Sequence, residues 1–202
     1  DMVAAVFTRL FRSSALTPEW DCVFSTSVII SPIRATTFST WARISEVICV
    51  DDGSTDGSLD ILKEYATEDS RIQIIEQKNA GAGAARNNGM RHATGKYLSF
   101  LDSDDFFEPR MLEKAYDLAE KDQADFVAYK SDQYHTEKKQ FVSADWVIHE
   151  NEIPPYHPFN HRQMTGNVFK VFVGWAWDKL FLKEFVDKHH LTFQEQSQNI
   201  YL

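Results

Sequence analysis

Cysteine is scarce in this chain, with two in 202 residues, Cys22 and Cys49. Two cysteines build no disulfide framework and match no zinc spacing, so a stapled secreted scaffold is excluded and a reducing compartment is expected. Cys49 stands inside the apolar run VICV and reads as a small core residue. Positive charge is short as well. Lys and Arg number 21 against 30 Asp and Glu, a net charge of -9, which argues against a nucleic-acid binder working through phosphate contacts. An anionic ligand then needs a metal or a local basic cluster to mediate. No apolar run reaches the ~20 residues of a membrane span, and MVAAVF near the start is too short for a signal peptide. The seven His show no metal spacing, and no internal repeat is present.

What is there is the composition of an ordinary globular domain, 43% hydrophobic and 25% charged. Residues 1–24 carry no readable pattern and are expected to be an atypical, poorly ordered leader. VFSTSVII (23–30) can supply a strand, ahead of a Ser/Thr-rich stretch without periodicity. Regular patterning starts at Glu46. EVICV reads as a buried strand, DDGSTDGS as a turn, and LDILKEYA as a helix with Ser58 or Asp56 as N-cap. RIQIIEQ is strand-like, NAGAGAARNNGMRHATG a Gly-rich turn entering a short helix, and YLSFL a strand. Pro109 can open a helix with Met111, Leu112, Ala115, Leu118 and Ala119 on one face, and ADFVAY closes the series as a strand. Strands alternating with helices imply an α/β domain with a mostly parallel, Rossmann-like sheet. Residues 131–160 read as polar loop, and KEFVDKHH as a final helix whose end is marked by His189 and His190.

Ligands of such sheets bind beyond the carboxyl ends of the strands. Two acidic clusters stand there: Asp51 and Asp52 after EVICV, and Asp102, Asp104 and Asp105 after YLSFL. If the chain stays extended, Asp102 and Asp104 face one side. Few hard oxygen ligands suit Mn²⁺ or Mg²⁺ shared with a phosphate. A hydrated turn is the competing reading. GAGAAR partly matches the dinucleotide fingerprint, but Arg86 stands where a small residue is needed; it is equally a turn that brings backbone and Arg86 to a phosphate. FLDSDDF also resembles the nucleophile motif of haloacid-dehalogenase-type phosphatases, with Asp102 as nucleophile. Trp175 and Trp177 alternate in WAWDKLF, so one can face a sugar ring while the other packs.

VICVDDGSTDGS, NAGAGAARNNGMRHATGKYLSFLDSDDFFEP and WDKLFLKEF, in this order and spacing, resemble the family 2 glycosyltransferases of the GT-A fold. The resemblance implies inverting transfer of a sugar from a nucleoside-diphosphate donor, most readily a UDP-sugar, to a hydroxyl of a glycan or lipid-linked acceptor in surface-polysaccharide assembly. It implies Asp51, Asp52, Arg86, Asp102 and Asp104 on the nucleotide sugar, with Asp104 and Asp105 on Mn²⁺ or Mg²⁺. Trp175, Trp177 and Asp178 fall on the acceptor side. Residues 25–130 become the donor half and 131–202 the acceptor half, in a bacterial cytoplasmic protein, peripheral at the inner face of the membrane. Two departures stand out. The opening strand lacks the Tyr-Asn pair and leads to Glu46 by a link too short for the family's helix. The carboxylate base belongs near Asn199, but Ile200 follows it, and Glu195, the nearest carboxylate, is a poor substitute. The expectation is a C-terminally incomplete transferase of weak or absent activity; a nucleotide-sugar-binding remnant is the alternative.

Overall fold

The computed structural model describes residues 26–32, 44–105, 107–108, 110–149, 152–164, 171–172 and 174–195, with the backbone alone for 26–32 and 44–45. A six-stranded sheet runs in the order β3-β2-β1-β4-β8-β5. Its strands are β1 (Thr26–Pro32), β2 (Ile44–Asp51), β3 (Ile72–Glu76), β4 (Tyr97–Asp102), β5 (Phe126–Ala128) and β8 (Lys179–Leu182). Among the described residues four α-helices accompany it: α1 (Ser58–Glu68), α2 (Ala82–His92), α3 (Met111–Asp122) and α4 (Lys183–Lys188). A separate hairpin joins β6 (Asp132–His135) to β7 (Gln140–Ser143).

Alternation along the central strands builds two cores. Val47 and Cys49 of β2 and Tyr97 and Leu101 of β4 face one side, where Leu62 of α1 and Met111, Leu112, Ala115, Tyr116 and Ala119 of α3 cover them. Ile48, Val50, Leu98 and Phe100 face the other side, against Ala85 of α2 and Val186 of α4. This is the period-2 consequence of strands buried on both faces. The α3 stripe matches the helical spacing read from the sequence, with Tyr116 added and Leu118 at its margin. Pro109 lies outside the described residues. Neither expected residue occupies the N-cap position of α1, which falls to Gly57; Asp56 instead accepts the Ser58 N–H at 3.0 Å, one residue earlier.

The mostly parallel sheet is met in strand direction, less so in neighbour pairing. β2, β3, β4 and β5 run the same way, but β1 and β8 are inserted against them, so only β2 and β3 pair in parallel. The reason for β1 lies in chain length. Parallel neighbours need a crossover of a dozen or more residues. Residues 33–43 connect β1 to β2, and the strand takes its place between β2 and β4 in the antiparallel sense. One result matters for function. The carboxyl ends of β2 and β4 and the entry to β8 all lie at the same sheet edge, with Thr26 opposite Asp51, Ser27 opposite Asp102 and Ala128 opposite Lys179.

Candidate functional site

Asp51 and Asp52 end up with different jobs. The Asp52 side chain, 2% exposed, accepts from Gln77 Nε2 at 2.7 Å, Ala80 N at 2.9 Å and Gly81 N at 2.8 Å. It therefore fastens the turn that feeds α2, and Gly81 meets it in the left-handed region (φ 89°) that glycine adopts freely. Asp51 is buried too, but among the described residues Oδ1 has no partner and Oδ2 only a long contact from Ser54 N at 3.4 Å. A buried carboxylate oxygen without a donor is costly, and an incoming N–H or O–H would relieve that cost.

DSDD forms a tight turn, not an extended segment. The Asp105 N–H returns to the Asp102 carbonyl at 3.0 Å. Asp102 and Asp104 thus do not share a strand face, because the chain reverses as soon as β4 leaves the sheet. Among the described residues no three His, Cys, Asp or Glu side chains converge as a metal cluster. Asp104 and Asp105 are nevertheless exposed hard donors. The Asp105 carboxyl is pushed up to about 6 by partial loss of water, then by the charges of Asp104 and Asp102. That excess of negative charge suits a hard divalent cation whose coordination is completed by other oxygens.

Arg86, on the second turn of α2, points into the same cluster. Its guanidinium pairs with Asp102 Oδ1 at 2.5 Å and lies 5.4 Å from the centre of the Phe193 ring. Its Nε is buried without a partner among the described residues. The pair ties up Asp102, which speaks against a free nucleophile at that position. On the far side of the edge, Asp178 is fully buried, pairs with Lys179 Nζ at 2.5 Å and, among the described residues, keeps Oδ2 unpartnered. Burial pushes its carboxyl upward. The Tyr129 hydroxyl, also pushed up by burial, donates to the Trp177 carbonyl at 3.0 Å. Trp175 and Trp177 stack at 6.3 Å between ring centres; Trp177 packs on the small cluster of Ala144, Val147 and Ile148, while Trp175 is 48% exposed.

Two participants carry no mark in the local sequence. Asn87 and Phe193 bind each other through the backbone of residue 193, and Asn87 Nδ2 also donates to Glu195 Oε1 at 2.9 Å. Asn87 follows Arg86 directly, yet nothing local marks an Asn as the anchor of a segment a hundred residues away. Asn199, where the base is expected, lies outside the described residues.

Comparisons with known proteins bear on the family and the fold. The chain is 32% identical over 184 residues to the cholesterol galactosyltransferase of Borreliella burgdorferi, covering 86% of this chain and 49% of that protein. It is 30% identical over 177 residues to the chondroitin synthase of Escherichia coli, covering 87% of this chain and 24% of that protein. The chain thus spans half or less of the length of these relatives. Its fold matches S. aureus TarS residues 1–349 with a TM-score of 0.57 and 21% identity, over 76% of this chain and 42% of that one. TarS has also been solved with UDP and with UDP-GlcNAc. No described helix is long and apolar enough to cross a membrane. The haloacid-dehalogenase and dinucleotide readings give way to a match over residues 33–188, well over half of the sequence: the chain belongs to glycosyl transferase family 2.

Proposed function

We propose that the chain binds a UDP-sugar at the carboxyl edge of its sheet and serves inverting transfer of the sugar to a hydroxyl of a glycan or lipid-linked acceptor. The observation that carries this reading is the meeting of Asp51, Arg86 and the Asp102–Asp105 turn at one edge. The unpartnered Asp51 Oδ1 offers an acceptor to a nucleoside N–H or hydroxyl. Arg86 supplies the positive charge that an acidic protein needs beside a diphosphate. Asp104 and Asp105 would hold Mn²⁺ or Mg²⁺, which when bound neutralises charge on the leaving diphosphate. Asp52 acts one step back, keeping the Gln77–Gly81 turn in place. TarS, with the same fold, has been captured with UDP and UDP-GlcNAc, which favours uridine among the nucleotides. Trp175, exposed at the entry to β8, offers an apolar ring face to an acceptor sugar.

The test is calorimetric titration of this chain with UDP-, GDP- and dTDP-sugars, with and without Mn²⁺. Saturable UDP-sugar binding that needs the metal and is lost in Asp104→Ala is the expected outcome. Binding indifferent to both refutes the reading. Binding without sugar transfer or donor hydrolysis would make the chain a nucleotide-sugar-binding module instead.

A further inference from the structure

The last described residues form a strap across α2. Asn87, 3% exposed, treats residue 193 as a neighbouring strand would: its Oδ1 accepts the Phe193 N–H at 2.8 Å and its Nδ2 donates to the Phe193 carbonyl at 2.8 Å. The same Nδ2 reaches Glu195 Oε1 at 2.9 Å. One turn earlier on the helix stands Gly83. A Cβ there would lie 2.1 Å from the Gln194 carbonyl oxygen and 3.0 Å from its carbon, a clash with backbone that no side-chain rotation relieves. So seated, the Phe193 ring packs edge-on to Phe100 at 5.1 Å and lies against the Arg86 guanidinium. Arg86 is thereby confined between an aromatic ring and Asp102.

We infer that Asn87 and Gly83 are positioning residues of the donor site: they seat residues 193–195 on α2, and the Phe193 ring so placed holds Arg86 in register with Asp102. The inference rests on the reading of Arg86 and Asp102 as donor-facing groups. It makes the strap a physical link between the later half of the chain and the phosphate end of the donor site. Neither Asn87 nor Gly83 touches the donor in this account; both act through Arg86.

UDP affinity in Mn²⁺, measured by calorimetry, tests this. Asn87→Ala, Gly83→Ala and Phe193→Leu are each expected to weaken binding about tenfold, while Phe193→Tyr, which keeps the ring, retains wild-type affinity. Gly83→Ala deletes no side chain and raises helix propensity, so it isolates the seating of the strap from helix stability. If Asn87→Ala fails to fold by circular dichroism, Gly83→Ala and Phe193→Leu carry the test. In an Arg86→Ala background, Gly83→Ala is expected to add less than about twofold, because its effect passes through Arg86. Unchanged affinity in Gly83→Ala and Phe193→Leu, or an equal loss in both backgrounds, overturns the inference. Wild-type chain that fails to bind UDP overturns the donor-site reading itself, a separate result.

Discussion

Asp105 shows how one side chain reports on its cluster. Partial burial and the charges of Asp104 and Asp102 push its carboxyl up to about 6, above the ~3.9 of an unfolded aspartate. Between about pH 4 and 6 the folded chain therefore keeps a proton that the unfolded chain has released. The contribution of this group to stability is present below that window and lost as pH rises through it. Asp105→Asn is expected to raise the Tm at pH 7 and to leave it unchanged at pH 4, read by thermal melts at both pH values. No change at pH 7 would mean that water screens the cluster fully. A paired test uses Asp52, whose two oxygens hold Gln77, Ala80 and Gly81. Asp52→Ala strands two backbone N–H groups and should cost about 1–3 kcal/mol in urea unfolding.

At the scale of elements, the joint between α2 and β4 depends on a buried carboxyl remote from the acidic clusters. Glu46, 4% exposed at the edge of the sheet opposite the site, accepts from Thr94 N at 2.7 Å and Gly95 N at 2.9 Å, with longer contacts from Thr94 Oγ1 and Gln73 Nε2. Glu46→Ala should lower stability by about 2–3 kcal/mol by leaving those donors unmet, and Glu46→Gln, which keeps one acceptor oxygen, by clearly less. Denaturant midpoints of the two variants check the order; equal midpoints would show that water replaces the carboxylate. The β6–β7 hairpin was not legible in advance. Its eight residues are exposed or half-exposed, so no buried face imposes the alternation by which strands are read. β8 was hidden for another reason: four residues framed by aromatics carry too little pattern, and only pairing with β4 and β5 makes them a strand.

At the scale of the molecule, both cores share the same two central strands, so they should not melt apart. Leu112 of α3 belongs to one core and Leu98 of β4 to the other. Leu112→Ala and Leu98→Ala are each expected to cost about 2–5 kcal/mol. Both should keep a single transition in which circular dichroism and tryptophan fluorescence coincide. Separated transitions in either variant would show that the two faces of the sheet fold independently.

The alternating strands and helices, the α3 stripe and the acidic clusters after β2 and β4 were legible in the sequence, because side-chain periodicity and turn chemistry are local properties of the chain. Local spacing could not tell that the chain turns straight after Asp102 instead of running on through Asp104, a choice of backbone dihedrals marked by the Asp105 N–H on the Asp102 carbonyl. Nor could it separate the roles of Asp51 and Asp52, which depend on donors 25 to 29 residues further on. The short link before Glu46 was legible, but the place of β1 between β2 and β4 and the Asn87 anchor on Phe193 were decided only in three dimensions. Periodicity says which side of an element is buried; strand order, strand direction and the meeting of distant polar groups follow from connection lengths and packing, which the folded chain alone settles.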